Sequence, residues 1–240
     1  MKKTLLSTCS LALALLLVLG LSSAALAEEA ETERVTILCV GDSLTYGVIP
    51  NTPGKRDLTY PDVLAELLGE GYEVQNLGKP GRSLTEAGVC YLKTPEYQQS
   101  LDAAADVVIL MLGTNDANLW DKWDEEAYAH DLAMVADAYL EANPDTLLVL
   151  IAPPVVLPDE KTGEIQMDAA LLEGFIHDTV EKTAEEKGAL FIDLYAKTTE
   201  NPDWIGADGI HFTQEGYEAF GTFVYESIRD ALGIEIADAA

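Results

Sequence analysis

Runs of consecutive apolar residues recur along the chain and give the first indication of its fold. They are rich in Val, Ile and Leu, and they span positions 35–40, 107–112, 147–151 and 190–192. A strand that is apolar at successive positions is covered on both faces, which is typical of a parallel sheet. With a weaker segment at 72–75, the pattern predicts a central parallel sheet of about five strands.

Between these runs, apolar residues recur with the period of an amphipathic α-helix. Three such stripes are predicted to face the core, and they consist of Tyr128, Leu132, Val135 and Tyr139, then Leu172, Phe175, Ile176 and Thr179, and finally Tyr217, Phe220, Val224 and Ile228. A further helix is predicted at 61–68, because Pro61 suits a first helical turn. Alternating strands and helices predict a doubly wound α/β fold, in which ligands bind beyond the carboxyl ends of the strands.

The first 27 residues have the pattern of a secretory signal peptide. Lys2 and Lys3 precede an apolar run at 11–21, and small residues follow it up to Ala27. A retained membrane anchor is the alternative, but the run is shorter than the roughly 20 residues that span a bilayer. We therefore expect cleavage after Ala27, a secreted protein, and no stable membrane anchor after cleavage.

After position 27, we expect a short acidic and disordered lead-in at 28–34 and then one domain at 35–240. This part of the chain keeps all 42 acidic residues and 12 of the 14 Lys and Arg residues, which gives a net charge of −30. So acidic a surface repels nucleic acid and anionic lipid, and neither is predicted as a partner. A neutral substrate suits this acidic surface better than an anionic one.

Cys39 and Cys90 are the two cysteines after position 27. Cys39 lies in the first predicted strand and Cys90 in a predicted helix, which favours two unpaired, buried thiols. A disulfide is the alternative, since a secreted protein meets an oxidising environment. Neither cysteine has the spacing of metal ligands, and no metal site is expected.

Ser43 follows the first predicted strand at once, in the segment GDSLTYG at 41–47. A serine there lies at the edge of the sheet where ligands bind. If a helix begins at this point, its unpaired backbone N–H groups would stabilise an oxyanion. The alternative is an ordinary capping residue at a strand-to-helix turn.

Two more polar segments follow the second and third predicted strands. NLGKPG at 76–81 contains Gly78 and Gly81, and a glycine N–H can approach a substrate oxygen closely. GTND at 113–116 contains Asn115, whose side-chain amide can donate to the same oxygen. Turn and helix-capping roles would explain both segments without any chemistry.

Asp208 and His211, in the segment DGIH at 208–211, precede the last predicted helix. On a bent loop these two side chains can hydrogen-bond, which fixes the imidazole tautomer and leaves the other ring nitrogen to take a proton from serine. A surface loop or a metal ligand is the alternative. His130 and His177 are weaker candidates, because each lies in a predicted helix, off its apolar stripe, where we expect a solvated side chain.

In this order, the four segments resemble the SGNH (GDSL) hydrolase family. The residues that match its motifs are Ser43, Gly81, Asn115, Asp208 and His211. Gly81 is matched rather than Gly78, because the family's glycine follows its asparagine by five positions, as Gly81 follows Asn76. The resemblance extends from about position 35 to about position 232.

The resemblance implies a flavodoxin-like three-layer αβα sandwich and hydrolysis of carboxylic esters through an acyl-enzyme, without a cofactor. Ser43 would be the nucleophile, His211 the base and then the acid, and Asp208 the residue that orients His211. The N–H groups of Ser43 and Gly81, with the side chain of Asn115, would bind the oxyanion.

An α/β-hydrolase also presents Ser, Asp and His in this chain order, but three features disfavour it. The serine segment lacks the second glycine of the usual elbow, the serine follows the first predicted strand, and Asp208 stands three positions before His211. The sequence also has no glycine-rich phosphate loop, which argues against nucleotide binding.

The substrate class rests on weaker signals. Secretion and the acidic surface favour a soluble, polar substrate, and acetyl esters on carbohydrate fit best. The segments 60–61, 71–76 and 112–120 also look like those of relatives of sugar O-acetylesterases. A lysophospholipase or thioesterase of the same fold, and a non-catalytic binding module, are the alternatives. Three tryptophans could line a sugar or acyl site or pack at a core edge: Trp120, Trp123 and Trp204.

Overall fold

A sheet of five parallel strands organises the residues that this computed structural model describes, namely 34–50, 58–118 and 120–234. The strands are β1 (Val35–Gly41), β2 (Tyr72–Gly78), β3 (Val107–Met111), β4 (Leu147–Ile151) and β5 (Leu190–Ile192). They lie in the order β2-β1-β3-β4-β5, and each neighbouring pair is parallel. The parallel sheet predicted from the apolar runs is confirmed.

Helices connect the strands and cover the sheet. They are α1 (Ser43–Tyr46), α2 (Tyr60–Leu68), α3 (Pro95–Asp102), α4 (Glu125–Ala142), α5 (Ala169–Leu171), α6 (His177–Lys187), α7 (Leu194–Glu200) and α8 (Gln214–Ile228). A π-helical turn, Leu172–Ile176, joins α5 to α6. The helices predicted from the apolar stripes are α4, the α5-to-α6 segment and α8, and Pro61 lies in the first turn of α2.

Both faces of the sheet are buried. Successive side chains of a strand point to opposite sides, and those of β1 belong to two different buried clusters. Leu38 and Val40 of β1 belong to a buried cluster that includes residues of α4 and α6. Ile37 and Cys39 belong to a second cluster, with residues of α2 and α8. The result is three layers, helices on each side of the sheet, as the resemblance implied.

Cys39 and Cys90 are buried and unpaired, as the sequence favoured. Burial in β1 raises the pKa of Cys39 to about 12, so this side chain stays a thiol at ordinary pH. Cys90 does not lie in a helix, and that prediction was wrong. The loop after β2 folds back on itself, so that Cys90 forms an isolated bridge with Ser83 and donates to the carbonyl of Leu84 at 3.1 Å.

The described residues all belong to one compact unit. The predicted signal peptide at 1–27, and the predicted lead-in up to position 33, lie outside the described residues. Within the part of the chain that the structure describes, no helix is both long and apolar enough to cross a membrane.

Candidate active site

The carboxyl ends of three neighbouring strands bring the first three sequence motifs together. β1 lies between β2 and β3, and its last residue, Gly41, pairs with Gly78 on one side and Met111 on the other. Parallel strands end at the same edge of a sheet, so the loops after β1, β2 and β3 are neighbours there. Ser43, Gly81 and Asn115 lie in the segments that follow these three strands.

Ser43 is the first residue of α1, which has four residues. Asp42 caps this helix, and its Oδ1 accepts from the N–H of Leu44 at 2.9 Å. Gly47 ends it with a φ of 89°, in the left-handed region that favours glycine. The N–H of Ser43 belongs to the first turn and has no intrahelical acceptor. A helix therefore does begin at the serine, which was the condition for its N–H groups to face an oxyanion.

Gly78, the last residue of β2, and Gly81, in the loop that follows, have different surroundings. The N–H of Gly78 donates to Oδ1 of Asn76 at 3.0 Å, and a Cβ on Gly78 would overlap the backbone nitrogen of Tyr46. Gly78 thus permits close packing of β2 against α1. Gly81 has a φ of 70°, a Cβ there would meet open space, and its N–H donates to none of the described residues. Of the two N–H groups, that of Gly81 is the one open to a ligand.

Asn115 connects the segment that carries Ser43 with the loop that carries Gly81. Its Nδ2 donates to Oδ2 of Asp42 at 2.9 Å and to the carbonyl oxygen of Arg82 at 3.0 Å. Asp42 precedes Ser43 and Arg82 follows Gly81. The three residues predicted to bind an oxyanion therefore lie around one point. Both amide hydrogens of Asn115 are already engaged by protein acceptors, which the sequence did not indicate.

The last motif brings a histidine and a carboxylate to the serine. Nε2 of His211 lies 2.9 Å from Oγ of Ser43, and Nδ1 of His211 lies 2.6 Å from Oδ2 of Asp208. The other oxygen of Asp208 accepts from the N–H groups of Ile210 and His211, at 3.2 and 3.0 Å. The structure thus brings Ser43, His211 and Asp208 into one hydrogen-bonded series.

A tight loop holds this histidine and carboxylate in place. Gly209 has a φ of 73°, and a Cβ on it would overlap the carbonyl oxygen of Leu157. That same segment is tied to the loop after β4, because the N–H of Leu157 donates to the carbonyl of Gly209 at 2.8 Å. Only glycine combines this backbone angle with this close approach.

The protonation of the series follows from its geometry. Burial acts to raise the pKa of Asp208, but the hydrogen bonds from His211 and Ile210 lower it below its ordinary value. An ionised carboxylate can only accept, so Nδ1 of His211 carries the ring proton and Nε2 is an acceptor. Ser43 then donates its hydroxyl proton to Nε2, which is the arrangement of a nucleophile with its base.

Two buried carboxylates, Asp42 and Asp116, were given no role from the sequence. Asp116 accepts from the N–H groups of Leu84 and Thr85, at 2.8 and 3.0 Å, and from the hydroxyl of Thr85 at 2.8 Å. Burial raises the pKa of each carboxyl to about 6, and hydrogen-bond donors act against this rise. One signal was available, since each aspartate stands directly beside a predicted site residue, Ser43 or Asn115.

The other two histidines do not join the site. The side chain of His130 is 73% exposed, on α4. His177 is not solvated as expected, because its side chain is 18% exposed and packs against the rings of Phe191 and Tyr195. Neither has a hydrogen bond to Ser43 among the described contacts.

The three tryptophans differ in their surroundings. Trp123 packs against the rings of Tyr128 and Phe175, and Trp204 packs against the buried cluster beneath α8. Trp120 is 56% exposed. Trp123 and Trp204 therefore lie at core edges, and Trp120 is the one whose ring is open to a ligand.

A cavity of about 540 Å³ adjoins the loop that carries Asp208. Its described lining residues are Ile49, Pro50, Asp159, Glu160, Lys161, Gly206, Ala207 and Asp208. Four of these residues carry charged side chains, although apolar atoms make up the larger part of the wall. Among the described residues, no three His, Cys, Asp or Glu side chains are grouped so as to hold a metal ion.

The family model for the GDSL-like lipase/acylhydrolase family matches residues 39–219 of this chain, a range that contains all five predicted site residues. An acetylxylan esterase of Xylanibacter ruminicola is 27% identical over 214 residues, which cover 82% of this chain and 44% of that protein. A GDSL lipase of Mycobacterium tuberculosis is 25% identical over 133 residues, which cover 55% of this chain and 52% of that protein. The chain spans about half the length of these curated relatives.

Solved structures resemble the chain over most of its length. An aryl esterase of M. smegmatis is 25% identical, with a TM-score of 0.67 over 82% of this chain and 99% of that chain. A carbohydrate acetylesterase of Sinorhizobium meliloti is 22% identical, with a TM-score of 0.66 over 82% of this chain and 100% of that chain. The second likeness is one of fold alone.

Proposed function

This chain belongs to the GDSL-like lipase/acylhydrolase family, and on that basis we propose that it hydrolyses carboxylic esters through an acyl-enzyme formed on Ser43. One observation carries the proposal, the hydrogen-bonded series from Asp208 through His211 to Ser43, with separations of 2.6 and 2.9 Å. A serine hydroxyl is a weak nucleophile on its own, and an adjacent oriented base is what activates it.

In the first step, Oγ of Ser43 attacks the ester carbonyl carbon while its proton moves to Nε2 of His211. Asp208 remains ionised and stabilises the imidazolium that forms. His211 then donates this proton to the leaving alcohol oxygen, so that the acyl group stays on Ser43. In the second half, His211 takes a proton from water while the water oxygen attacks the acyl carbon. The bond between the acyl carbon and Oγ of Ser43 then breaks, His211 returns the proton to Oγ, and the acid leaves.

The negative charge that develops on the carbonyl oxygen is bound by the N–H groups of Ser43 and Gly81 and by the amide of Asn115. Because both hydrogens of Asn115 are engaged, one of its present bonds must be shared with the substrate or given up. The bond to the ionised Asp42 is charge-assisted and therefore the stronger. The hydrogen directed at the carbonyl of Arg82 is the one that turns to the substrate.

For the substrate, we propose acetyl groups on carbohydrate. Three observations support this class: the net charge of −28 for the whole chain, the four charged residues that line the cavity beside Asp208, and the similarity to an acetylxylan esterase. The exposed large apolar side chains of the described residues come from separate segments of the chain, and they are Tyr46, Leu67, Val89, Trp120, Met134 and Ile165.

A fluorophosphonate, which reacts covalently with activated serines, tests the mechanism. The intact mass of the protein should rise by one phosphonyl group, and peptide mapping should place the group on Ser43. The Ser43→Ala variant is the control, and its mass should not change. Labelling of another residue, or equal labelling of both proteins, would contradict the proposed nucleophile.

A series of p-nitrophenyl esters from acetate to palmitate, together with acetylated xylo-oligosaccharides, tests the substrate class. We expect kcat/KM to be highest for acetate and acetic acid to be released from the oligosaccharide. A maximum at long acyl chains would instead identify a lysophospholipase or thioesterase. If the folded protein turned over none of these esters, a non-catalytic binding module would be the remaining interpretation.

We also propose export of the protein with cleavage after Ala27. The pattern at 1–27 supports this proposal. Expression of the full chain in a bacterial host with N-terminal sequencing of the exported form tests it. The expected first residue is Glu28, and an intact N-terminus in the cell interior would contradict it.

A further inference from the structure

We infer that Asp42 is a positioning residue for the oxyanion site, which holds the amide of Asn115 in the orientation that the reaction needs. This inference rests on the proposed function, and it assigns a role to the residue that precedes the nucleophile. Asp42 is 1% exposed, so its carboxylate depends on protein donors in place of water.

The two oxygens of Asp42 bind to different parts of the site. Oδ1 accepts from the N–H of Leu44 at 2.9 Å, inside the helix that begins with Ser43. Oδ2 accepts from Nδ2 of Asn115 at 2.9 Å, in the loop after β3. One side chain therefore fixes the nucleophile's helix and the amide of Asn115 relative to each other.

The acceptors around Asn115 also decide which way its amide points. The carboxylate of Asp42 and the carbonyl of Arg82 can only accept, so Nδ2 of Asn115 must face them and Oδ1 must face away. The opposite orientation would set the carbonyl oxygen of Asn115 against two acceptors. The charge on Asp42 makes its bond the stronger of the two, and it is the one that holds while the bond to Arg82 is exchanged for substrate.

Asp42→Asn is the isosteric change that removes this constraint on the orientation of the Asn115 amide. Its side-chain oxygen can still accept from the N–H of Leu44, but its NH₂ group then faces Nδ2 of Asn115, donor against donor. Asn115 must rotate or move, and the N–H group for the oxyanion is lost. Asp42→Ser is a second variant, because serine also caps helices well but is too short to reach Asn115.

A double-mutant cycle on hydrolysis of p-nitrophenyl acetate tests this role. Asp42→Asn and Asp42→Ser should each lower kcat by about 10- to 100-fold, the scale of one lost oxyanion donor or less, with little change in KM. In the Asn115→Ala background, Asp42→Asn should lower kcat by less than about twofold, because the group through which it acts is gone. Asp124→Asn, the same change at another helix cap, which accepts from the N–H of Ala127, should leave kcat unchanged.

A measurement on the side-chain amide of Asn115 gives a readout that does not depend on turnover. In a ¹⁵N–¹H spectrum, this NH₂ pair is identified by its loss in Asn115→Ala, and it should shift strongly in Asp42→Asn but not in Asp124→Asn. An unmoved pair, or an equal loss of kcat from Asp42→Asn with and without Asn115, would overturn the inference. If wild type were no faster than Ser43→Ala, the proposed function would fail, whereas the spectrum would still decide the role of Asp42.

Discussion

Nε2 of His211 lies 2.9 Å from the hydroxyl oxygen of Ser43, although 168 positions separate the two residues in the chain. Ser43 begins the helix after β1, and His211 lies in the loop that leads into α8. Tyr217 and Phe220 of α8 share a buried cluster with Ile37 of β1. The contact of the base with the nucleophile therefore depends on the packing of α8 against this face of the sheet.

Replacement of His211 should abolish turnover, because Ser43 then lacks the acceptor for its proton. We expect kcat of His211→Ala on p-nitrophenyl acetate to fall to the level of Ser43→Ala, a loss of at least ~10³-fold. His130→Ala is the control, since that side chain is 73% exposed and lies on α4. Equal and mild losses in the two variants would refute the role given to His211.

The amide of Asn115 should matter for the rate more than for substrate binding, because the charge it stabilises develops during the reaction. Asn115→Ala is expected to lower kcat by something like ~10²-fold with little change in KM. Steady-state kinetics with a short-chain ester measures both constants. An unchanged kcat would remove Asn115 from the oxyanion site.

Gly78 should be required for stability, because a methyl group there would overlap the backbone of Tyr46 in the helix that carries Ser43. Overpacking of this kind costs roughly 1 to 3 kcal/mol, and we expect Gly78→Ala to lower the free energy of unfolding by about that amount. Gly71→Ala is the control directly before the same strand, where a Cβ meets nothing within 4 Å. Urea unfolding measures the difference, and equal values for the two variants would contradict this packing.

Stability should rise as the pH falls from about 7.5 to about 5. Burial raises the pKa of Asp42 and of Asp116 to about 6. An unfolded chain holds such groups near 4, so the folded state binds more protons between these values and gains stability as they are bound. The effect of Asp208 on stability has the opposite sign, because its pKa is lowered on folding. Its ionised form stabilises the folded state, and this contribution to stability is lost in stronger acid.

Calorimetry across this pH range tests the effect with Asp116→Asn, which cannot titrate. The gain in Tm on acidification should be smaller in this variant than in wild type by roughly 3 °C or more. The absolute Tm of the variant is expected to be lower, because its NH₂ group must face the N–H donor of either Leu84 or Thr85, which bind different oxygens of Asp116. The same gain in both proteins would contradict the shifted pKa of Asp116.

The strands and the site loops could be predicted because their signals are local. β1, β3, β4 and β5 are apolar at successive positions, and each predicted site residue belongs to a short motif next to a predicted element. β2 is longer than predicted and ends at Gly78, because its last residues pair with β1 although Asn76 is polar. Pairing with a neighbouring strand overrides the residue's low strand propensity.

What the sequence did not indicate depends on contacts between distant residues. α3 was not predicted, since Ser100 is its one buried residue and no apolar stripe marks it. The bridge between Ser83 and Cys90 arises from the fold of the loop after β2. The bond from Asn115 to Asp42 joins residues 73 positions apart, and no spacing in the chain reveals that both amide hydrogens are engaged.

The most direct test of the proposed nucleophile compares purified wild type with Ser43→Ala in hydrolysis of p-nitrophenyl acetate, with circular dichroism to verify that both are folded. We expect wild type to turn over the ester and Ser43→Ala to retain less than about a thousandth of its kcat. If the two folded proteins release p-nitrophenol at the same rate, Ser43 is not the nucleophile.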